Sequence, residues 1–421
     1  MNNFSKKSIW FPRNEDAQDP KVKVADLIKL IDSNNIGIDL LRLMKVNTFE
    51  DEYINIPNAG SLVAIQKAIN KKYHKEDLTS SFNDISLFTP DGKFTINFNN
   101  LNENEYFQSL GLTSISTIPI HSAQANFFSE LYQMDRYAAK LLNNGHQSIV
   151  EINWELLQQV TSFTKNFRIL HDLQDNKFYV RAITSTSRYY NYDNNIAIVI
   201  ALLILHNEMK AGQVKFRLAS CEYNESYIRM SFESSEKTPL EGVGYVKNYI
   251  EVSNDEIRRE AVRFSGACSI AFSDGQNAEE ELFIDPKEVK SKILSIRHNV
   301  RPNTATKELA SIANSKDIHA ELFKDITTIK NIKKPEQIKL LLLQKIEKAK
   351  REDVGNLKGE IQKILQQSTS NILQLLSIFS KIEVFAREDV AVAEYLRIAI
   401  YEVLIKRKSL EKTNKKGQMS S

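Results

Sequence analysis

From Gln213 to Glu236 the chain reads QVKFRLASCEYNESYIRMSFESSE, and apolar and polar residues alternate on both sides of YNES. A period of two puts successive side chains on opposite faces of an extended backbone. Two such runs joined by a polar turn predict an antiparallel hairpin, with Phe216, Leu218 and Ile228 buried. GVGYVKNYIEVSN and AVRFSGACSIAFSDG add a third and a fourth strand. The period then changes. From Pro286 onward no strand signal is read, and four segments between Lys334 and Lys408 carry helical spacing. Over residues 335–408, Leu340, Leu343, Ile361, Leu365, Leu376, Leu396 and Ile400 are the expected packed positions.

Upstream, VKVADLIKLIDS, IGIDLLRLMK and SLVAIQKAINKKYHK read as helices, the last from Ser61 to Lys75 with Ser61 as its N-cap. GKFTINFNN reads as a strand, and the first twenty residues as loosely held. NFRILHDL and FYVRAITST flank QDNK as a second hairpin. NIAIVIALLILHNEMKAG reads as a buried helix closed by Gly212. The expected fold is α+β, in three consecutive zones. These are an N-terminal α+β region (1–120), a central α+β domain of antiparallel hairpins and helices (121–300), and a helical C-terminal region with a basic tail (301–421).

A length of 421 residues fits two or three domains. Two cysteines, Cys221 and Cys268, form no CxxC pair and no disulfide framework, which fits a reducing cytoplasm. The N-terminus has no apolar segment of a secretory signal. The longest apolar run, Ile196 to Leu205, falls short of the roughly 20 residues a membrane span needs, so no membrane partner is expected. A net charge of +3 is too small by itself to argue for nucleic acid.

The sequence contains no GxxxxGK[ST], GxGxxG, HExxH or GxSxG motif and no pair of histidines at metal-ligand spacing. No catalytic residue, metal or cofactor is therefore assigned. His171 beside Asp172 admits an acid/base reading, against the plainer one of a hydrogen-bonded strand histidine. Cys221 and Cys268 lie among apolar neighbours and read as inert buried thiols. The acid clusters at Asp255–Glu256 and Glu279–Glu281 admit a two-metal hydrolase, against helix capping and turns.

One stretch concentrates binding chemistry. FYVRAITSTSRYYNYDNN carries Arg181 on a strand and then Arg188, Tyr189, Tyr190 and Tyr192 in a polar loop. Arginine grips phosphate while tyrosine rings stack on bases. The alternative is that the rings staple the loop to the next helix. Further cations lie on or near the expected strands: Lys215, Arg217, Arg229, Arg258, Arg259, Arg263, Arg297 and Arg301. If the hairpins form one sheet, they make an exposed Arg/Tyr face.

VRAITSTSRYYNYDNN resembles the hallmark segment of domain-of-unknown-function family 932, the phage/plasmid-like proteins. Val180, Arg181, Ala182, Ser185, Arg188, Tyr189, Asp193 and Asn194 match, with one extra residue between the serine and the Arg-Tyr pair. Ser253, Asn254 and Glu256 match a second block, where SDG replaces the family's Asn-Gly ending. The resemblance spans residues 120–300 and implies a role in the nucleic-acid metabolism of mobile elements, recombination included.

The resulting expectation is a non-enzymatic, cytoplasmic protein of phage or plasmid type that binds single-stranded nucleic acid. Its expected contacts are Arg181, Arg188, Tyr189, Tyr190, Tyr192, Arg217, Arg229, Arg263, Arg297 and Arg301. The alternative is an assembly protein whose partner is a second copy of itself.

Overall fold

The computed structural model describes residues 4–13, 19–88, 92–186, 189–212, 214–257, 260–273, 279–286, 292–309 and 315–406. The chain is α+β, as expected. Among the described residues the strands are β1 (Lys7–Trp10), β2 (Tyr73–Ser81), β3 (Ile85–Leu87), β4 (Ile96–Phe98), β5 (Ile115–Pro119), β6 (Thr164–Asp172), β7 (Lys177–Thr184), β8 (Phe216–Tyr223), β9 (Tyr227–Leu240), β10 (Gly244–Asp255), β11 (Glu260–Phe272), β12 (Glu280–Ile284) and β13 (Lys292–Arg297).

Two compact units replace the three consecutive zones. The first comprises Met1–Ser5, Val63–Asn191 and Glu256–Arg259; the second comprises Lys6–Leu62, Tyr192–Asp255 and Glu260–Ser421.

The first unit holds a six-stranded sheet in the order β2-β6-β7-β5-β4-β3, antiparallel except between β5 and β7. The expected hairpin β6–β7 forms. Asp172 Oδ1 accepts from Gln174 N at 3.0 Å, and Asn176 takes φ +49°, which closes the turn. The helix Gln147–Val160 lays Val150 and Trp154 onto a core of Phe82, Phe98, Phe127 and Phe167. Phe82 stacks on Trp154 at 4.3 Å, and the indole donates to Ile85 O at 3.2 Å, so the buried Trp leaves no orphan donor. Such a ring pair adds about 1 kcal/mol beyond its buried area.

The second unit holds a seven-stranded sheet in the order β1-β8-β9-β10-β11-β12, with β13 also on β11. The expected hairpin is β8–β9, and Phe216, Leu218 and Ile228 are buried. One face, carrying Val246, Cys268, Ile270, Leu282 and Ile284, packs on the C-terminal helices through Leu342, Ile361, Leu376, Phe379, Leu396 and Ile400. Asn371 and Asp389 cap the helices Ile372–Phe385 and Val390–Leu404, accepting from Gln374 N and Val392 N. The sheet is curled. Trp10 on β1 and Phe283 on β12, at the two ends of the strand order, lie 5.2 Å apart.

Several expectations are corrected. Lys7–Trp10 is a strand, not a loose end, because β8 pairs with it through Ile9↔Cys221 and Trp10↔Ser220. The helix expected at Ser61–Lys75 runs Ala59–Lys72, and Tyr73 opens β2. Strand signals do not end at Pro286, since β13 pairs with β11. Leu340 is exposed, on the solvent side of Pro335–Lys348; Leu343 is half-buried and the other five named positions are buried. Gly212 ends the helix Asn194–Ala211 in an extended rather than a left-handed conformation.

Candidate anion-binding cleft

In the first unit the Arg/Tyr segment is a structural node. Arg181 on β7 is fully buried, and its guanidinium meets Glu256 Oε2 at 2.6 Å. Lys75 on β2 reaches Glu256 Oε1 at 2.6 Å. Beside them Arg168 on β6 donates to Asp77 (3.1 Å), to Asn191 Oδ1 (2.6 Å), to the Tyr189 hydroxyl (2.5 Å) and to Glu256 O. The Tyr189 hydroxyl donates in turn to Glu256 O at 2.5 Å. Burial alone would push the Glu256 carboxyl up, but Lys75, Arg181 and Arg168 together hold it down to about 2. Burial pushes the Tyr189 hydroxyl up and keeps it a neutral donor. The exposed-face expectation is therefore corrected for Arg181, because phosphate cannot reach a guanidinium that is buried and neutralised. Tyr189 is half-buried with its hydroxyl occupied, Tyr190 is half-buried, and Arg188 lies outside the described residues.

In the second unit the inner face of the curled sheet is charged. Arg229 on β9 is buried, not exposed, and pairs with Glu251 at 2.5 Å and Asp285 at 2.8 Å. Burial opposes its charge, yet these two carboxylates raise its pKa further. Arg263 is half-buried on the wall of the same small chamber, about 90 Å³. Arg397 pairs with Glu383 at 2.7 Å and Glu222 at 3.3 Å. Tyr192 is buried, and its hydroxyl donates to Val300 O at 2.8 Å, which is the stapling role rather than a base platform. Arg297 and Arg301 are exposed.

Arg217 is placed differently. The β8–β9 register sets it opposite Glu233, with which its Nη2 pairs. Its Nη1 is buried and has no hydrogen-bond partner among the described residues. The side chain lines a cleft of about 700 Å³. Arg13, Lys210, Lys215 and Lys237 stand on the same walls, against the carboxylates of Asp19 and Glu233. Lys215 and Lys237 are exposed. Lys210 is paired with Glu52 at 2.7 Å, Arg13 with Glu281 and Arg217 with Glu233, so the positive potential of this concave site comes chiefly from Lys215 and Lys237. Alternation had indicated Lys215 and Arg217. It did not indicate Arg13, Lys210 or Lys237, since Arg13 arrives through the β1–β8 pairing and Lys237 lies past the regular alternation.

The other chemical candidates are structural. His171 is buried between Tyr106 Oη (2.7 Å) and Asn176 Oδ1 (2.9 Å) and stacks on Phe178. Burial pushes the Cys221 and Cys268 thiols up, so neither is a nucleophile. Among the described residues no three His, Cys, Asp or Glu side chains are grouped to hold a metal ion. No helix among them is long and apolar enough to cross a membrane. Comparison with models of known protein families, with curated proteins and with solved structures finds no match to this chain.

Proposed function

We propose that this chain is a non-enzymatic nucleic-acid-binding protein of the cytoplasm that holds a single strand by its phosphates in the cleft of the second unit. The observation that carries this reading is the convergence of Arg13, Lys210, Lys215, Arg217 and Lys237 on one concavity, with Lys215 and Lys237 exposed on its walls. Cations so placed release the counterions condensed on a phosphate backbone, and that release drives binding. The resemblance of Val180–Asn194 and Ser253–Glu256 to phage/plasmid-like proteins supports a role on mobile-element DNA. This reading moves the site from the tyrosine loop to the N-terminal end of β8. Fluorescence anisotropy with a labelled single-stranded oligonucleotide tests it. Binding at low salt that weakens steeply between about 50 and 200 mM is expected. A folded sample that does not bind at low salt removes the reading.

A second reading, self-assembly, is favoured by one observation. On the helix Gln147–Val160, opposite the buried Val150 and Trp154, Ile149, Ile152, Leu156 and Val160 are exposed by 42, 56, 54 and 80%. Their spacing of three and four residues puts them on one stripe. A second copy of the same helix is the occupant this reading names, through an isologous pairing.

A further inference from the structure

Next to the cationic cleft lies a second cavity, about 730 Å³, and Arg13 and Arg217 line both. Its walls differ in kind. Trp10, Phe11, Tyr249, Phe283 and Phe385 contribute five aromatic side chains. Phe385 is 42% exposed, and its neighbour Val384 49%, at the C-terminal end of the helix Ile372–Phe385. An open ring at the rim of a cavity is a surface on which a planar group can stack.

The polar groups on these walls are unevenly satisfied. Glu281 is fully engaged: Tyr249 Oη donates to its Oε1 at 2.8 Å, Ser269 donates to the same oxygen, and Arg13 pairs with Oε2. Two donors are not. Trp10 Nε1 and Arg217 Nη1 are buried and have no hydrogen-bond partner among the described residues. The Trp10 ring is held rigidly, with Arg387 over its face at 3.9 Å and Phe283 at its edge. A buried donor without a partner is costly, and such sites are commonly completed by what they bind. Glu279 and Glu280 also line the cavity, paired with Lys247 and accepting from Ser377 respectively. Two buried open donors beside carboxylates that already have partners suit a planar ligand that accepts hydrogen bonds.

We propose that this cavity receives one unstacked base of the strand whose phosphates occupy the cleft, and that it favours bases with carbonyl acceptors, such as thymine or uracil, over adenine. This inference rests on the proposed cleft function. Phe385 supplies the stacking surface, Trp10 Nε1 and Arg217 Nη1 supply the donors, and Arg13 and Arg217 connect base to phosphate. Thymine and uracil present two carbonyl oxygens on their edges, whereas adenine presents none.

The test uses the full chain and three labelled strands of equal length: oligo-dT, oligo-dA and an abasic deoxyribose-phosphate strand. The expected order is oligo-dT tightest, with the abasic strand weaker by about tenfold, because stacking of even one base is lost. Trp10→Phe keeps an aromatic body and removes the donor; it should narrow the gap between oligo-dT and oligo-dA and leave abasic binding unchanged. Phe385→Ala, on an exposed site, should weaken oligo-dT and again spare the abasic strand. Equal, salt-sensitive binding of all three strands overturns the base pocket and leaves the cleft standing. Failure of every strand to bind overturns both.

Discussion

Trp10 and Phe283 meet edge to face, 5.2 Å between ring centroids and 73° between planes, although β1 and β12 stand at opposite ends of the strand order. A flat sheet of this width would hold its edges far apart, since neighbouring strands are about 4.8 Å from one another. The contact therefore records a sheet that curls until its edges approach. Curling is what turns a row of alternating charged residues into a lined concavity. Arg217 on β8 and Glu281 on β12, several strands apart in the order, border one cavity for this reason.

The buried node around Glu256 makes a stability prediction. Its carboxyl is held down to about 2 from an ordinary 4.5, so its contribution is present above about pH 4.5 and is lost as pH falls toward 2. Glu256→Gln should remove this segment of the pH–stability curve. At neutral pH it should also destabilise by about 3–5 kcal/mol, because Arg181 and Lys75 lose the charge that compensates them. Urea unfolding of both proteins between pH 2 and 7 measures both effects. Parallel curves would refute the role assigned to Glu256.

Tyr189→Phe should act on stability rather than binding. It removes a hydroxyl that serves Arg168 and Glu256 O, at a cost of about 1–3 kcal/mol for the groups left unpaired. Oligonucleotide affinity per folded molecule should be unchanged. A loss of affinity at undiminished stability would return the tyrosine loop to the binding site.

The thiols of Cys221 and Cys268 are buried and their pKa values raised. An aromatic disulfide reagent at pH 8 should titrate neither in the native protein and both in denaturant. Rapid reaction of the native protein would contradict the burial described.

For self-assembly, the pair Ile152→Asp and Leu156→Asp should convert an oligomer to a monomer with little change in thermal midpoint, because both side chains are exposed. Light scattering coupled to gel filtration gives the mass directly. A wild-type monomer at high protein concentration would remove this second reading.

How far the sequence reached follows from which interactions are local. The strands β8 to β11 were legible because a long sheet with one packed face imposes a period of two. The strand β1, four residues long, was not, because its pairing with β8 joins residues more than two hundred positions apart. The strand β13 was missed although its β11 partners lie much nearer in the chain, because its short irregular register with two shifts leaves little alternation to read. Alternation set Lys215 and Arg217 on one face and placed Arg229 on a neighbouring strand. It could not reveal that Arg229 is neutralised by Glu251 and Asp285 while Arg217 keeps one nitrogen open, since that depends on which carboxylate each strand places opposite. Arg181 misled for the same reason. Its partner Glu256 lies 75 residues away, and the motif shows only the arginine.

The central claim is that phosphates bind in the cleft of Arg13, Lys210, Lys215, Arg217 and Lys237. Its most direct measurement is the salt dependence of single-strand affinity for the wild type and for the pair Lys215→Ala and Lys237→Ala, both at exposed positions. Each lost phosphate contact should lower the slope of log affinity against log salt by about 0.7 in magnitude. The double variant should therefore bind more weakly at low salt, with a slope shallower by about 1.4. An unchanged slope and affinity in a folded double variant would place the phosphates elsewhere and contradict the cleft.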